Sequence, residues 1–210
     1  MSVAAEEAAF RALAAARLHA APADVPRFSD DDLNPTARMI PANEAPKPAA
    51  VLVGLVPRAG GLSLLLTERQ PHLRRHAGQI AFPGGRVDDT DRDAVAAALR
   101  ETEEETGIAP SFIEPVGFLD TYLTSTNYRV VPVVALLRPG FTVVPQEAEV
   151  KDVFEVPLAF LMDPANHQRH SRDWQGHTRY YYAMPWQGSY IWGATAGMIR
   201  NFYRLMYDTP

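Results

Sequence analysis

Short aliphatic runs broken by turn residues are the feature that most constrains this chain. Residues 49–56 and 62–67 are mostly aliphatic and are separated by Pro57, Arg58, Ala59, Gly60 and Gly61, the composition of a turn between two strands. A third short strand is expected over 80–82, stopped by Pro83, and others over 130–137 and 152–156, the last followed by Pro157. Helical patterns lie between these runs, so the class is mixed α/β rather than all-β. Towards the C-terminus, 180–184 and 189–192 flank a turn at 185–188 and predict a hairpin. Met198, Ile199, Phe202, Leu205 and Met206 then mark a helix.

The front of the chain has a different character. Residues 4–18 are rich in alanine, with Phe10, Leu13 and Leu18 near one helical face, which predicts an amphipathic helix that packs on its own domain or on a partner subunit. From 22 to 48 the chain carries Pro26, Pro35, Pro41, Pro46 and Pro48 among Asp and Asn, which suppresses helix and central strand alike. The expected organisation is therefore a helix and Pro-rich arm over 1–48, followed by one domain over 49–210. With 210 residues the chain can bury roughly 70% of its unfolded surface without a staple.

Composition removes several function classes. There is no cysteine, which excludes a disulfide framework, a thiolate nucleophile and Cys-ligated zinc or iron–sulfur sites. Twenty Lys plus Arg against 25 Asp plus Glu leave a formal charge of −5, without the basic footprint of a nucleic-acid binder. The longest uncharged stretch, 180–199, is interrupted by Pro185, Gln187, Gly188 and Ser189, so it does not read as a membrane span. Glu6 and Glu7 argue against a secretory signal. The expectation is a cytoplasmic protein with no membrane and no nucleic-acid partner.

The chemistry concentrates between 82 and 108. Thr90 and Asp93 make a helix start signal and Gly107 a helix stop, which predicts a helix over about 91–106. Val95, Ala98, Leu99, Thr102 and Thr106 should pack on a sheet, with Arg100, Glu101, Glu104 and Glu105 on the other side. Glu101 precedes Glu104 by three residues and Glu105 by four, so the three carboxylates are helical neighbours. The macrodipole disfavours acids in the last turns of a helix, so local energetics do not explain them. A hard divalent cation with oxygen ligands would, while a plain solvated acidic face is the competing explanation. Phe82-Pro83-Gly84-Gly85 ends a strand on two glycines, which lets backbone approach a ligand closely. Just upstream, Arg69, Arg74, Arg75 and His76 gather cationic donors suited to phosphate oxygens.

These residues resemble the signature of the Nudix hydrolases, G-x5-E-x7-R-E-U-x-E-E-x-G-U with U aliphatic. The chain reads Gly85, five residues, Asp91, eight residues, Arg100-Glu101, Glu104-Glu105, Gly107 and Ile108. It departs in three places: Asp91 for Glu, one extra residue before Arg100, and Thr102 for an aliphatic. A second stretch is similar to the motif L-L-T-x-R-(S/A)-x3-R-x3-G-x3-F-P-G-G of coenzyme A pyrophosphatases. It comprises Leu65-Leu66-Thr67-Glu68-Arg69, Arg74, Gly78 and Phe82-Pro83-Gly84-Gly85, with Gln70 in place of Ser or Ala. The tail from Trp192 to Arg200 also looks like that subfamily.

The resemblance implies an α/β/α sandwich around a mixed β-sheet. It implies hydrolysis of the diphosphate of coenzyme A or its acyl derivatives, dependent on Mg²⁺ or Mn²⁺. Glu101, Glu104 and Glu105 would be metal ligands, one of them alternatively a base, and Arg100 would brace Glu104. A further catalytic acid is expected at Glu147, with Glu149 the alternative. Arg69, Arg74, His76, Gly84 and Gly85 would bind the nucleotide substrate. The rivals are hydrolysis of another nucleoside diphosphate derivative, such as ADP-ribose or a dinucleotide, and a Nudix-fold sensor without turnover. His167 and His170 read as a surface loop. Tyr180, Tyr181 and Tyr182 read as strand and core or homodimer contacts more than a stacking platform.

Overall fold

The aliphatic run expected over 49–56 becomes the central strand of the molecule. The computed structural model describes residues 2–36, 38–41, 43–73, 75–174 and 176–208. In chain order its elements are α1 (Val3–Arg17), β1 (Phe28–Ser29), β2 (Lys47–Arg58), β3 (Gly61–Arg69), β4 (Ile80–Ala81), β5 (Gly84–Arg86), α2 (Ala94–Thr106) and β6 (Ile113–Phe118). There follow β7 (Tyr122–Leu123), β8 (Tyr128–Leu137), β9 (Val150–Pro157), α3 (Leu158–Leu161), β10 (Gln168–Trp174), β11 (His177–Trp186), β12 (Ser189–Trp192) and α4 (Ala194–Met206).

Strand β2 runs parallel to β8, from Lys47 opposite Tyr128 to Leu55 opposite Leu136, and antiparallel to β3 across the Gly60–Gly61 turn. A strand covered on both faces needs apolar residues in both registers, which is why β2 is a continuous aliphatic run rather than an alternating one. Leu52 and Val56 enter one cluster with Leu65, Ile108 and Leu137, while Val53 and Leu55 enter another with Leu64, Leu66, Val134 and Phe202. Helix α2 covers the first face, with Leu99 on that cluster and Ala97 and Ala98 packed on Ala50, Val131 and Val133. Helices α1 and α4 cover the second. The result is an α/β/α sandwich around a mixed sheet. A smaller antiparallel sheet, β10-β11-β12, lies beside it.

Helix α1 packs on its own domain. Phe10 meets Phe202 of α4 edge to face, with ring centroids 6.5 Å apart, and Arg11 forks onto Glu114 of β6 at 2.7 and 2.9 Å. Strand β10 departs from the surface loop expected around His167 and His170. His170 sits in that strand opposite Tyr181, and His167 just before it is half-buried, its Nε2 2.6 Å from the Leu161 carbonyl. Since a carbonyl only accepts, Nε2 carries the hydrogen and Nδ1 is left to accept from Arg200 at 3.0 Å. Strand β10 is almost wholly exposed, so it carries no apolar alternation and is a strand only because β11 pairs with it. Among the described residues no helix is long and apolar enough to cross a membrane.

Phe10 joins α1 to the core, so Phe10→Ala is expected to lower stability by about 3 to 5 kcal/mol in a denaturant titration. A loss under about 0.5 kcal/mol, the usual size for a surface change, would mean that α1 is only laid on the domain.

Candidate active site

The site begins with a close approach of backbone to helix. Strand β5 lies against β2, with Gly84 opposite Val51 and Gly85 opposite Ala50. Gly84 has φ 148°, and a Cβ there would lie 2.4 Å from the Ala50 carbonyl oxygen. A Cβ on Gly85 would lie 2.5 Å from the Glu101 carboxyl carbon. Only glycine fits at Gly84, where the obstacle is backbone, and a side chain at Gly85 would have to push the Glu101 carboxylate aside. The Gly84 amide donates to Glu105 Oε2 at 3.2 Å. Two carboxylates of α2 are thus held against one bare turn.

Helix α2 starts later than the sequence suggests. Asp93 is its N-cap, accepting from the Ala96 amide at 2.8 Å, and the helix proper begins at Ala94. Asp91 is left free of the helix and takes Arg100 bidentately, Oδ1 from Nε at 3.0 Å and Oδ2 from Nη2 at 2.9 Å. Arg100 Nη1 also reaches Glu101 at 2.9 Å and Glu104 at 3.2 Å. Arg100 holds the Asp91 carboxyl below the usual carboxylate range and is itself raised. The C-terminus is as expected, with Gly107 left-handed at φ 73°. Thr102, which stands where an aliphatic is usual, is buried and gives its hydroxyl hydrogen to the Ala98 carbonyl at 2.6 Å.

The four acids divide differently from the two-faced pattern expected. Glu103 and Glu104 are exposed, Glu101 is half-buried, and Glu105 is only 7% exposed, turned inward with Ala98 and Thr102. Burial pushes the Glu101 carboxyl up, and it raises Glu105 to about 7 against the help of the Gly84 amide and Arg69. Among the described residues, no three acidic or imidazole side chains are drawn together as a metal cage; Glu101 and Glu104 turn to Arg100 instead. The donor set nonetheless suits a hard cation. Glu101 and Glu105 offer carboxylate oxygens beside one glycine turn, and Glu105 is desolvated with its nearest guanidinium 3.6 Å away.

Arg69 closes the site from β3. The β3–β9 register shifts between Glu68 and Arg69, a bulge of the kind that re-aims a side chain. Arg69 Nη1 lies 3.6 Å from Glu105 and Nη2 3.6 Å from Glu149, while its buried Nε has no partner among the described residues. Glu149 is thus brought to Arg69, while Glu147 gives its backbone carbonyl to Gln70 Nε2 at 2.8 Å. Gln70 also donates its amide to the Glu149 carbonyl at 2.8 Å, so the residue that departs from the upstream motif anchors this loop. The loop is tied to α2 as well, since Val144 and Gln146 donate to the last carbonyls, Thr106 and Glu105. Of the other substrate-binding expectations, His76 is exposed with Nδ1 2.7 Å from Gln79, and Arg74 lies outside the described residues. The sequence signal offered Glu147 and Glu149 together, on one segment beyond the signature.

The NUDIX domain matches this chain over residues 45–175. The chain belongs to the Nudix hydrolase family. A Shigella flexneri protein named uncharacterized Nudix hydrolase NudL is 41% identical over 180 residues, covering 85% of this chain and 91% of the relative. The protein of the same name from Escherichia coli strain K12 is 44% identical over 155 residues, covering 73% and 79%. Among solved structures, a C. elegans Ap4A hydrolase binary complex aligns with a TM-score of 0.46 and 26% identity, covering 53% of this chain and 80% of its own.

The raised carboxyl of Glu105 makes the stability of this Nudix hydrolase depend on pH when metal is absent. Its folded value of about 7 exceeds the ordinary glutamate value of 4.5, so between these two pH values the folded state holds a proton that the unfolded state has lost. Stability should fall as pH rises through this window, by on the order of 3 kcal/mol from this one group. Glu105→Gln should flatten that fall, leaving the variant more stable than the parent at pH 8 in chelator. Identical pH profiles for the two proteins in thermal unfolding would show that Glu105 ionises as freely in the folded state as in the unfolded one.

Proposed function

We propose that the chain hydrolyses the diphosphate of coenzyme A or an acyl-coenzyme A, giving 3′,5′-ADP and 4′-phosphopantetheine or its acyl form. The observation that carries the catalytic part is the pair Glu101 and Glu105 held against the Gly84–Gly85 turn, with the Arg69 guanidinium 3.6 Å from Glu105. The substrate is inferred from the motif from Leu65 to Gly85 and from the Trp192 to Arg200 tail, both similar to coenzyme A pyrophosphatases.

In this reading Glu101, Glu104 and Glu105 hold Mg²⁺ or Mn²⁺. When bound, such a cation neutralises the diphosphate, polarises phosphorus and lowers the pKa of water. Arg100 keeps Glu101 and Glu104 oriented and draws its own rigidity from Asp91. Gly84 and Gly85 leave room beside the carboxylates for phosphate oxygens. Arg69, with Arg74 next among the arginines of the sequence motif, supplies positive charge to them, and His76 a ring N–H. We assign the outer acid to Glu149 in place of Glu147, on account of its approach to Arg69. Water adds across the P–O–P bridge, its oxygen to one phosphorus and its protons to the bridging oxygen of the leaving phosphate and to solvent.

The test is product analysis by mass after incubation with Mg²⁺ or Mn²⁺ and coenzyme A, dephospho-coenzyme A, ADP-ribose or NADH. Coenzyme A should yield the two named products. If the arginines read the 3′-phosphate, dephospho-coenzyme A should turn over roughly 10 to 150-fold more slowly, the worth of one charge-assisted contact. Turnover of ADP-ribose or NADH alone would move the activity to another nucleoside diphosphate, and no turnover would favour a sensor. Glu104→Gln and Glu105→Gln should each lower the rate by orders of magnitude, with the exposed Glu103→Gln as the unaffected control. Equal small effects of all three would return the acids to a solvated helix face.

A further inference from the structure

A second site lies on the opposite side of the sheet from α2. A cavity of about 260 Å³, open to solvent on one side, is lined by arm residues from Ser29 to Met39, by strands β7 and β11, by Arg172 and Trp192, and by α4 as far as Arg204. Its floor residue Tyr122 belongs to the cluster that contains Phe202, whereas α2 packs on the other face. None of Glu101, Glu104, Glu105 and Arg69 lines it.

The lining is chemically mixed in an ordered way. Inside, the desolvated Asp30 carboxylate accepts from the Tyr122 hydroxyl at 2.9 Å and the Ser125 amide at 2.7 Å. Asn201, 6% exposed, lines the same cavity, and its Nδ2 has no partner among the described residues. Tyr181 and Trp192 form an aromatic wall, their rings 5.2 Å apart edge to face. Arg172 and Arg204, both exposed, also line it. Each leans on an aromatic ring, Arg172 on Trp192 at 5.0 Å and Arg204 on Phe28 at 5.9 Å, and neither has a carboxylate partner among the described residues.

An aromatic ring face in such a wall selects a ring that can stack on it. Both oxygens of Asp30 already have donors, so the group left to be satisfied is the amide nitrogen of Asn201, which calls for an acceptor such as a nucleobase edge carries. Two guanidinium groups without carboxylates, set over aromatic rings, call for an anion, and phosphate fits their fork. At about 260 Å³ the space falls below the range of roughly 300 to 1,000 Å³ that encloses a drug-sized ligand, so one nucleoside fits and a whole dinucleotide or coenzyme does not.

We propose that this cavity is a second nucleotide site, with the base of a nucleoside monophosphate against Tyr181 and Trp192 and its phosphate on Arg172 and Arg204. The proposal goes beyond the hydrolytic reading, and only its substrate-half form rests on that reading. The nucleotide is either a free one or the nucleotide half of a substrate whose diphosphate lies elsewhere; the chemistry recognised is the same.

The test is calorimetric binding to the full chain in chelator, where no turnover occurs, with AMP, adenosine and ribose 5-phosphate as probes. AMP should bind about tenfold or more tightly than adenosine, because its phosphate adds a charge-assisted contact, and ribose 5-phosphate should bind more weakly than AMP. Arg172→Gln/Arg204→Gln should bring AMP down to the affinity of adenosine, and Arg204→Gln alone, at an exposed helix position, should move it part of the way. Glu105→Gln should leave AMP affinity unchanged. No AMP binding at millimolar concentration, equal affinities for AMP and adenosine, insensitivity to both arginine changes, or loss of AMP binding in Glu105→Gln would each overturn the proposal. Under turnover with metal, a KM raised tenfold at unchanged kcat in the double variant would identify the substrate's own nucleotide half. An AMP effect on rate that disappears in the double variant at unchanged KM would identify a free nucleotide.

Discussion

A turn without side chains is pressed against the acidic side of a helix, and much of the architecture keeps it there. Gly84 and Gly85 are held on β2 by strand pairing, and β2 is held by β8 and β3 on its flanks and by helices on both faces. A β-carbon at Gly84 would run into the Ala50 carbonyl, and one at Gly85 into Glu101. The central sheet therefore carries two tasks, forming the core and setting the distance between a backbone turn and two carboxylates. Packed interiors deform little, so a site built this way is positioned as firmly as the core itself.

Charge is managed by unequal solvation rather than by one-to-one pairing. Arg100 serves Asp91, Glu101 and Glu104 at once, which fixes its guanidinium and leaves Glu105 to the Gly84 amide and a more distant Arg69. A carboxylate so buried and so lightly compensated costs free energy in its ionised form, the condition under which a bound cation stabilises a fold most. The family departure at Asp91 is absorbed here. The shorter side chain still forks Arg100, because the helix begins only at Ala94 and Asp91 lies before it.

The loop from Val144 to Val150 shows how a surface segment acquires a fixed place. The last carbonyls of α2 need donors, and the Val144 and Gln146 amides supply them. Gln70 then pins the far end by its amide and its side chain. The loop is exposed, yet both its ends are tied to the elements that carry Glu105 and Arg69, which brings Glu149 alongside them.

Much of this was legible in the chain. Aliphatic runs and breakers set strands β2, β3 and β8 and the hairpin of β11 and β12, because burial on both faces and turn chemistry are written locally. The helix stop at Gly107, the i+4 brace of Glu104 by Arg100 and the glycine turn follow from spacing alone. Tertiary structure decided what spacing could not. Glu105 is buried and Glu104 is not, because which side of a helix meets a sheet depends on the partner as well as on the pattern. Strand β10 exists only through its pairing with β11, and it carries no apolar signal. Glu149 is brought to Arg69 by a bulge in β3 and two hydrogen bonds from Gln70, contacts between segments some 80 residues apart. Local sequence specifies which elements form, but the distance between a carboxylate on one and a guanidinium on another is fixed only when they pack.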